Sequence, residues 1–211
     1  MPGRAVKIAI SRFSAAQVVS PLREDLSWSD FVSIFSKDPV VAPCSLASCS
    51  RTTCPHKRIA GWSPAVFADA GGRCGAVTAI SLLVFNVERA TDAQIYEVRG
   101  RIDGYRHLIH ATHSDRPDSR CVRIIIALSR PVPRDAWQAF RRVAQTIVPI
   151  ADLSCGGVDQ TYFLPSVPRD AGYFIQVNEG DLLDVDATLV IAAAAGLVDP
   201  AASAVESEGT P

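Results

Sequence analysis

Four consecutive stretches decide the fold: AISLLVFNV (Ala79–Val87), TDAQIYEVRGRID (Thr91–Asp103), YRHLIHA (Tyr105–Ala111) and RCVRIIIAL (Arg120–Leu128). The first, third and fourth are apolar, β-branched runs of strand length. In the second, Thr91 can cap a helix with Gln94 at N3, and Ile95, Val98 and Ile102 share one face before Gly104 stops it. The polar loop HSDRPDS between the last two runs fits a hairpin. Pro133 can open a second helix, with Trp137, Phe140, Ala144 and Ile147 at helical spacing and Arg141 and Arg142 facing out. Thr161–Leu164 reads as a short final strand, and Gly172–Val177 can add another.

This βαββαβ order predicts a mixed α/β (α+β) protein with an RRM-like or ferredoxin-like sheet and helices on one face. The first and third strands are then central and antiparallel, with the final strand antiparallel to the first. One end of the sheet gathers Asn86 and Glu88, the hairpin loop with His113 and Asp115, Arg120 and Arg123, and Asp159. Alternation along the strand puts Asn86 and Glu88 on the same side.

Upstream, Ala5–Ser11 reads as a short strand, and Ser27 can cap the helix WSDFVSIFS with Asp30 at N3. Residues 39–75 are irregular. The expected organisation is one domain over 1–192, made of an N-terminal α/β unit (1–75) packed against the RRM-like module (76–178). A small-residue, acidic tail (193–211) follows, expected to be mobile beyond about Leu197.

With 48% hydrophobic and 20% charged residues over 211 positions, the composition is that of a globular protein. No apolar run reaches the roughly 18 residues of a membrane span, and the N-terminus lacks a secretory h-region, so neither membrane nor secretion is indicated. All 21 Lys and Arg residues occur by Arg169, against 14 Asp and Glu, which leaves that part at +7. Eight acids and no basic residue follow. A basic body with an acidic end suits a polyanionic partner. Six cysteines are too few for a secreted disulfide scaffold of this length, which favours the reducing cytoplasm.

Asn86, Glu88 and Asp159 or Asp152 could supply oxygen ligands to Mg²⁺ or Mn²⁺ shared with substrate phosphates. Arg120 and Arg123 could hold a triphosphate bidentately. Cys44, Cys49, Cys54 and His56 form a zinc ligand set, with four-residue gaps unlike those of common fingers. The competing reading is a loop of incidental thiols whose basic flank, Arg51, His56, Lys57 and Arg58, lies along a phosphate backbone. Trp62 can stack on a base or brace the core. Cys74, Cys121 and Cys155 read as core or strand residues. His107 and His110, three apart on a strand, read as structural or surface residues. This argues against a rolling-circle nuclease, which wants two histidines two apart beside a tyrosine.

Here the sequence resembles the archaeo-eukaryotic primase superfamily, especially the primase-polymerase domains of plasmid and phage replication proteins. The resemblance spans Trp28 to Pro168. It is carried by GWSPAVF (Gly61–Phe67), LLVFNVE (Leu82–Glu88), ATHSD (Ala111–Asp115), RCVRIIIALSRPVP (Arg120–Pro133) and DQTYFLPSVP (Asp159–Pro168). It implies an acidic pair at Asn86 and Glu88, with Asn86 departing from the family's acid. It also implies a further carboxylate at Asp152 or Asp159, and a phosphate-contacting histidine at His113, or Asp115 in its place. The implied activity is metal-dependent, template-directed nucleotidyl transfer from NTPs or dNTPs on single-stranded DNA, by a DNA primase/polymerase-like protein with a separate replicative helicase. The alternative is a catalytically inactive single-stranded DNA-binding initiator or accessory module. Under the first reading, restoring an acid at position 86 strengthens metal binding.

Overall fold

The structure is a computed structural model that describes residues 7–14, 21–51, 53–57, 59–68, 77–152 and 154–197. Arg58, Cys74 and the tail beyond 197 therefore lie outside the described residues.

The elements run β1 (Ile8–Phe13), β2 (Leu22–Leu26), α1 (Trp28–Ser36), β3 (Val40–Ala42), β4 (Gly61–Ser63), β5 (Ala65–Phe67), β6 (Val77–Ala90), α2 (Asp92–Ile102), β7 (Arg106–Ala111), β8 (Arg120–Pro133), α3 (Trp137–Ala144), β9 (Tyr162–Phe163), β10 (Ser166–Pro168), β11 (Ile175–Glu179) and α4 (Val185–Ala194). The class is the expected mixed α/β. Both capping signals form: Ser27 accepts from the Asp30 amide, and Thr91 and Gln94 make a reciprocal capping box. Helix α4, capped by Asp184, goes beyond the expectations above.

The central sheet has the order β11-β7-β8-β6-β5, with every neighbouring pair antiparallel. Strands β6, β8 and β7 sit as the βαββ order requires. The last strand does not. Thr161–Leu164 yields only β9, which pairs with β4 in a second sheet, β2-β1-β4-β9. The place beside β6 belongs to β5, a segment from before residue 76. Strand β10 pairs in parallel with β3. The N-terminal and C-terminal halves thus interdigitate.

Both faces of the central sheet are covered, which explains why its strands read as continuous apolar runs rather than alternating ones. Leu83, Phe85, Ile124 and Ile126 pack on one face against α2 and α3, through Val98, Ile102, Trp137 and Phe140. Leu82, Val84, Leu108 and Ile125 pack on the other against β1, α1 and β4, through Ile10, Phe31, Phe35 and Trp62. Two expectations about α3 fail. Its N-terminus is at Trp137 because β8 continues to Pro133. Arg141 is buried rather than outward, its guanidinium donating to the Cys155 carbonyl over Gly156, where a Cβ would lie 1.9 Å from Arg141 Cζ. Among the described residues, no helix is long and apolar enough to cross a membrane.

Beyond Val87 the β6–β8 register shifts, so Glu88 and Arg89 together face one residue of β8. Arg89 takes φ 58°, the left-handed region that side chains resist by about 1–2 kcal/mol. Such bulges re-aim side chains, and this one carries Glu88. Arg89→Gly is expected to be neutral or stabilising by up to about 1 kcal/mol, because strain relief opposes the extra unfolded-state entropy. Arg89→Val is expected to cost about 1 kcal/mol or more. Urea unfolding of both variants checks the pair, and a large loss in the glycine variant would contradict it.

Candidate phosphate cleft and thiol cluster

The period of two along a strand places three polar side chains in one row on the face toward α1 and β9. Cross-strand register aligns His110 with Arg123, and Arg123 with Asn86. Around them the face is apolar, with Val84, Leu108 and Ile125 buried. A polar row inside such a face needs internal partners.

Arg123 is 9% exposed. Its Nε donates to Asn86 Oδ1 at 2.9 Å and its Nη1 to the Phe163 carbonyl at 3.0 Å, and its guanidinium carbon lies 4.7 Å from the Tyr162 ring centre. Among the described residues no carboxylate pairs with it. Burial pushes its pKa down to about 10, which still leaves it charged at neutral pH. His110 Nδ1 faces the Ala111 carbonyl, and Nε2 has no hydrogen-bond partner among the described residues. Burial, reinforced by the Arg123 charge, drives His110 down to about 3, so its ring is neutral.

The row opens into a cleft of about 200 Å³ lined also by Lys57, Glu88, Thr112, Ser114, Gln160 and Tyr162. Cavities that enclose whole drug-sized ligands run to roughly 300–1,000 Å³, so this one takes part of a larger molecule. Its chemistry is that of an anion site: a buried cation, a lysine, neutral donors, and a single carboxylate at the rim. Glu88 is exposed and has no hydrogen-bonded or ionic partner among the described residues.

The predicted residues divide sharply. Asn86, Glu88, Arg123, His113 and Lys57 all reach the cleft. Asp152 comes close through its backbone, its amide donating to the Asn86 carbonyl at 2.8 Å. Its carboxylate, however, accepts from the Ser154 amide and hydroxyl, both at 2.9 Å, and the Ser154 amide bond above all holds it below the usual carboxylate range. Asp159 is exposed and does not line the cleft. Arg120 is turned to the other face. Asp115 clasps its Nε and Nη2 at 2.9 Å each, Asp92 takes its Nη1, and Phe174 lies beneath it. The alternation of β8 explains this, since positions 120 and 123 have opposite parity. Asp115 also accepts from the Cys121 amide, and so pins the hairpin.

Arg51 binds Ser119 through its side chain, while its carbonyl accepts from Lys57 and Ser114. Trp62 is 1% exposed, edge-on to Phe31 and Phe35, and cannot stack on a base. His110 and Tyr162 complete the cleft without having been expected there. Period-two alternation puts His110 on the face of Leu108 and Arg123 on that of Ile125, but it is the β7–β8 register that makes this one face.

Beside the cleft, Cys44, Cys49, Cys54 and His113 bring their ligand atoms within 4.8 Å of one another. His113 Nε2 lies 3.3 Å from Cys49 Sγ and 3.7 Å from Cys44 Sγ, and Nδ1 lies 3.1 Å from Ser166 Oγ. Both ring nitrogens are engaged there, so His113 does not present a nitrogen to a phosphate. His56, expected as the fourth ligand, is exposed on the turn Pro55–Lys57 and takes no part. Burial and the neighbouring thiols push Cys44 up to about 11, whereas at Cys54 burial is outweighed by the hydrogen bonds from the His56 backbone and the other two thiols, which pull the thiol down.

This is the only such grouping of three or more His, Cys, Asp or Glu ligands among the described residues. No equivalent gathers around Glu88, and Asn86 already holds Arg123. The residues in the cleft therefore do not fit a paired Mg²⁺ or Mn²⁺ site.

The VapE N-terminal domain family matches residues 6–194. The chain belongs to this family. No curated protein matches the sequence significantly. Among solved structures, this VapE N-terminal domain is similar to the AEP domain of the cyanophage S-2L primase-polymerase (PrimPol), at 11% identity over 87% of this chain and 89% of that one, with a TM-score of 0.47. It is also similar to the polymerase domain of Mycobacterium tuberculosis ligase D in complex with DNA, at 13% identity over 91% of this chain and 83% of that one, with a TM-score of 0.37.

Proposed function

We propose that this VapE N-terminal domain is a primase-polymerase-like module of a replication protein that binds nucleotide phosphate and single-stranded DNA. The observation that carries this reading is Arg123, a buried cation at the wall of a cleft with no carboxylate partner among the described residues. A phosphate supplies the missing negative charge and accepts charge-assisted hydrogen bonds. The motif resemblance supplies the substrate class, and the +7 charge through Arg169 favours a strand of DNA alongside. An unwinding partner would expose that strand.

Template-directed nucleotidyl transfer is the second reading, favoured by the unpartnered carboxylate of Glu88 at the rim. Two measurements separate them. Equilibrium binding of a fluorescent nucleoside triphosphate should persist in EDTA and weaken with salt. Incorporation of labelled nucleotides on a primed single-stranded template with Mg²⁺ or Mn²⁺ should be at background. Incorporation that disappears in Glu88→Ala would establish the second reading, and absence of nucleotide binding would remove the first. Arg120→Ala serves as a control, expected to leave nucleotide affinity within about two-fold because that side chain is held by Asp115 and Asp92 on the opposite face.

A further inference from the structure

We propose that Cys44, Cys49, Cys54 and His113 hold one structural zinc ion, which clips the irregular segment after β3 to the β7–β8 turn. Zinc takes sulfur at about 2.3 Å and imidazole nitrogen at about 2.0–2.1 Å in a tetrahedron. Legs of that length require ligand atoms roughly 3.4–3.8 Å apart. The observed separations are 3.8 Å for Cys44–Cys54, 3.7 Å for Cys44–His113 and 3.3 Å for Cys49–His113. The Cys44–Cys54 separation is too long for a disulfide, and all three thiols are free.

A second observation points the same way. A metal-binding imidazole needs its other ring nitrogen protonated and anchored. His113 Nδ1 lies 3.1 Å from Ser166 Oγ, a hydroxyl able to accept its N–H, and this contact orients the ring with Nε2 among the sulfurs. Three thiolates and a neutral imidazole select a borderline-soft ion over Mg²⁺ or Ca²⁺. All four positions are filled by protein, as in structural rather than catalytic sites.

The clip has a clear architectural task. The described residues of 43–60 contain only a short turn of regular structure and little buried apolar surface, with Cys54 the one buried hydrophobic residue among them. Lys57 and Ser114, three residues after Cys54 and one after His113, line the cleft. The ion would therefore hold the outer wall of the cleft. The zinc assignment itself does not depend on what the cleft binds.

The test uses the full chain purified without added chelator. Elemental analysis should find about one zinc per chain. Replacement by Co²⁺ should give the intense visible bands of a tetrahedral site with thiolate-to-metal charge transfer in the near ultraviolet. His56→Ala should keep the zinc and the cobalt spectrum. His113→Ala should weaken Co²⁺ binding by about 100-fold. His113→Cys should restore a tetrahedral spectrum of four-thiolate type, which separates loss of a ligand from loss of the fold. Wild-type protein without stoichiometric zinc and without a tetrahedral cobalt spectrum would overturn the proposal. So would retention by His113→Ala with loss in His56→Ala.

Discussion

Arg123→Met is expected to lower nucleotide affinity at least 30-fold, and Asn86→Asp about 10-fold, while neither change unfolds the protein. The first figure follows from removing a desolvated charge that meets an anion, worth about 2 kcal/mol or more, at about 1.4 kcal/mol per factor of ten. Met retains most of the buried stem over Tyr162 and removes an uncompensated buried cation, so stability should change little although two acceptors lose a donor. The second figure reverses the outcome drawn from sequence, where an acid at position 86 strengthens metal binding. In the fold, Asn86 Oδ1 already accepts from Arg123 Nε at 2.9 Å. A carboxylate there pairs with the guanidinium and neutralises the charge that the phosphate needs, so ligand binding weakens as melting temperature rises. Calorimetric titration of nucleoside triphosphate, with and without Mg²⁺, measures both variants. Tighter Mg²⁺-dependent binding in Asn86→Asp would restore the metal-site reading.

Trp62→Ala should cost about 3–5 kcal/mol of stability, the range for removing a large aromatic from a core. Trp62 touches Phe31, Phe35 and Tyr162 with ring-centre distances of 5.3, 5.7 and 5.5 Å, and joins α1 to the β4–β9 pair. For a domain of this size each kcal/mol shifts the melting temperature by roughly 2–4 °C, so a drop on the order of 10 °C is expected. A base-stacking residue would behave differently, losing single-stranded DNA affinity with an unchanged melting temperature. Thermal unfolding and DNA binding on the same preparations distinguish the two.

Local signals in this chain were reliable wherever the physics is local. Ser27 with Asp30 and Thr91 with Gln94 fix two helix starts through hydrogen bonds three residues apart, so α1 and α2 were legible to the residue. The apolar runs of β6, β7 and β8 announced buried strands, and their order gave the antiparallel core. The antiparallel order of the first and third strands also brought Asn86 to the same sheet end as Arg120 and Arg123, although it did not choose between the two arginines or show the bond to Arg123. Resemblance, rather than spacing, pointed to a replication function, and membership of the VapE N-terminal domain family came from comparison.

What tertiary structure alone decided were the long-range choices. Thr161–Leu164 is too short and too mixed to name its partner, and it joined β4 because β5 already occupied the edge of β6. Cys44, Cys49 and Cys54 announced a ligand set, yet the nearest histidine in sequence was not the fourth member. His56 follows Cys54 by two residues on a tight turn that directs it to solvent, whereas His113 arrives from 59 positions away because the β7–β8 turn folds over the loop. Arg120 and Arg123 look alike in sequence, but opposite parity sends one to Asp115 and the other into the cleft. Hydrogen-bond caps and strand periods act between near neighbours and can be read along the chain. Which polar group meets which across the sheet depends on packing between distant segments, and no local pattern encodes it.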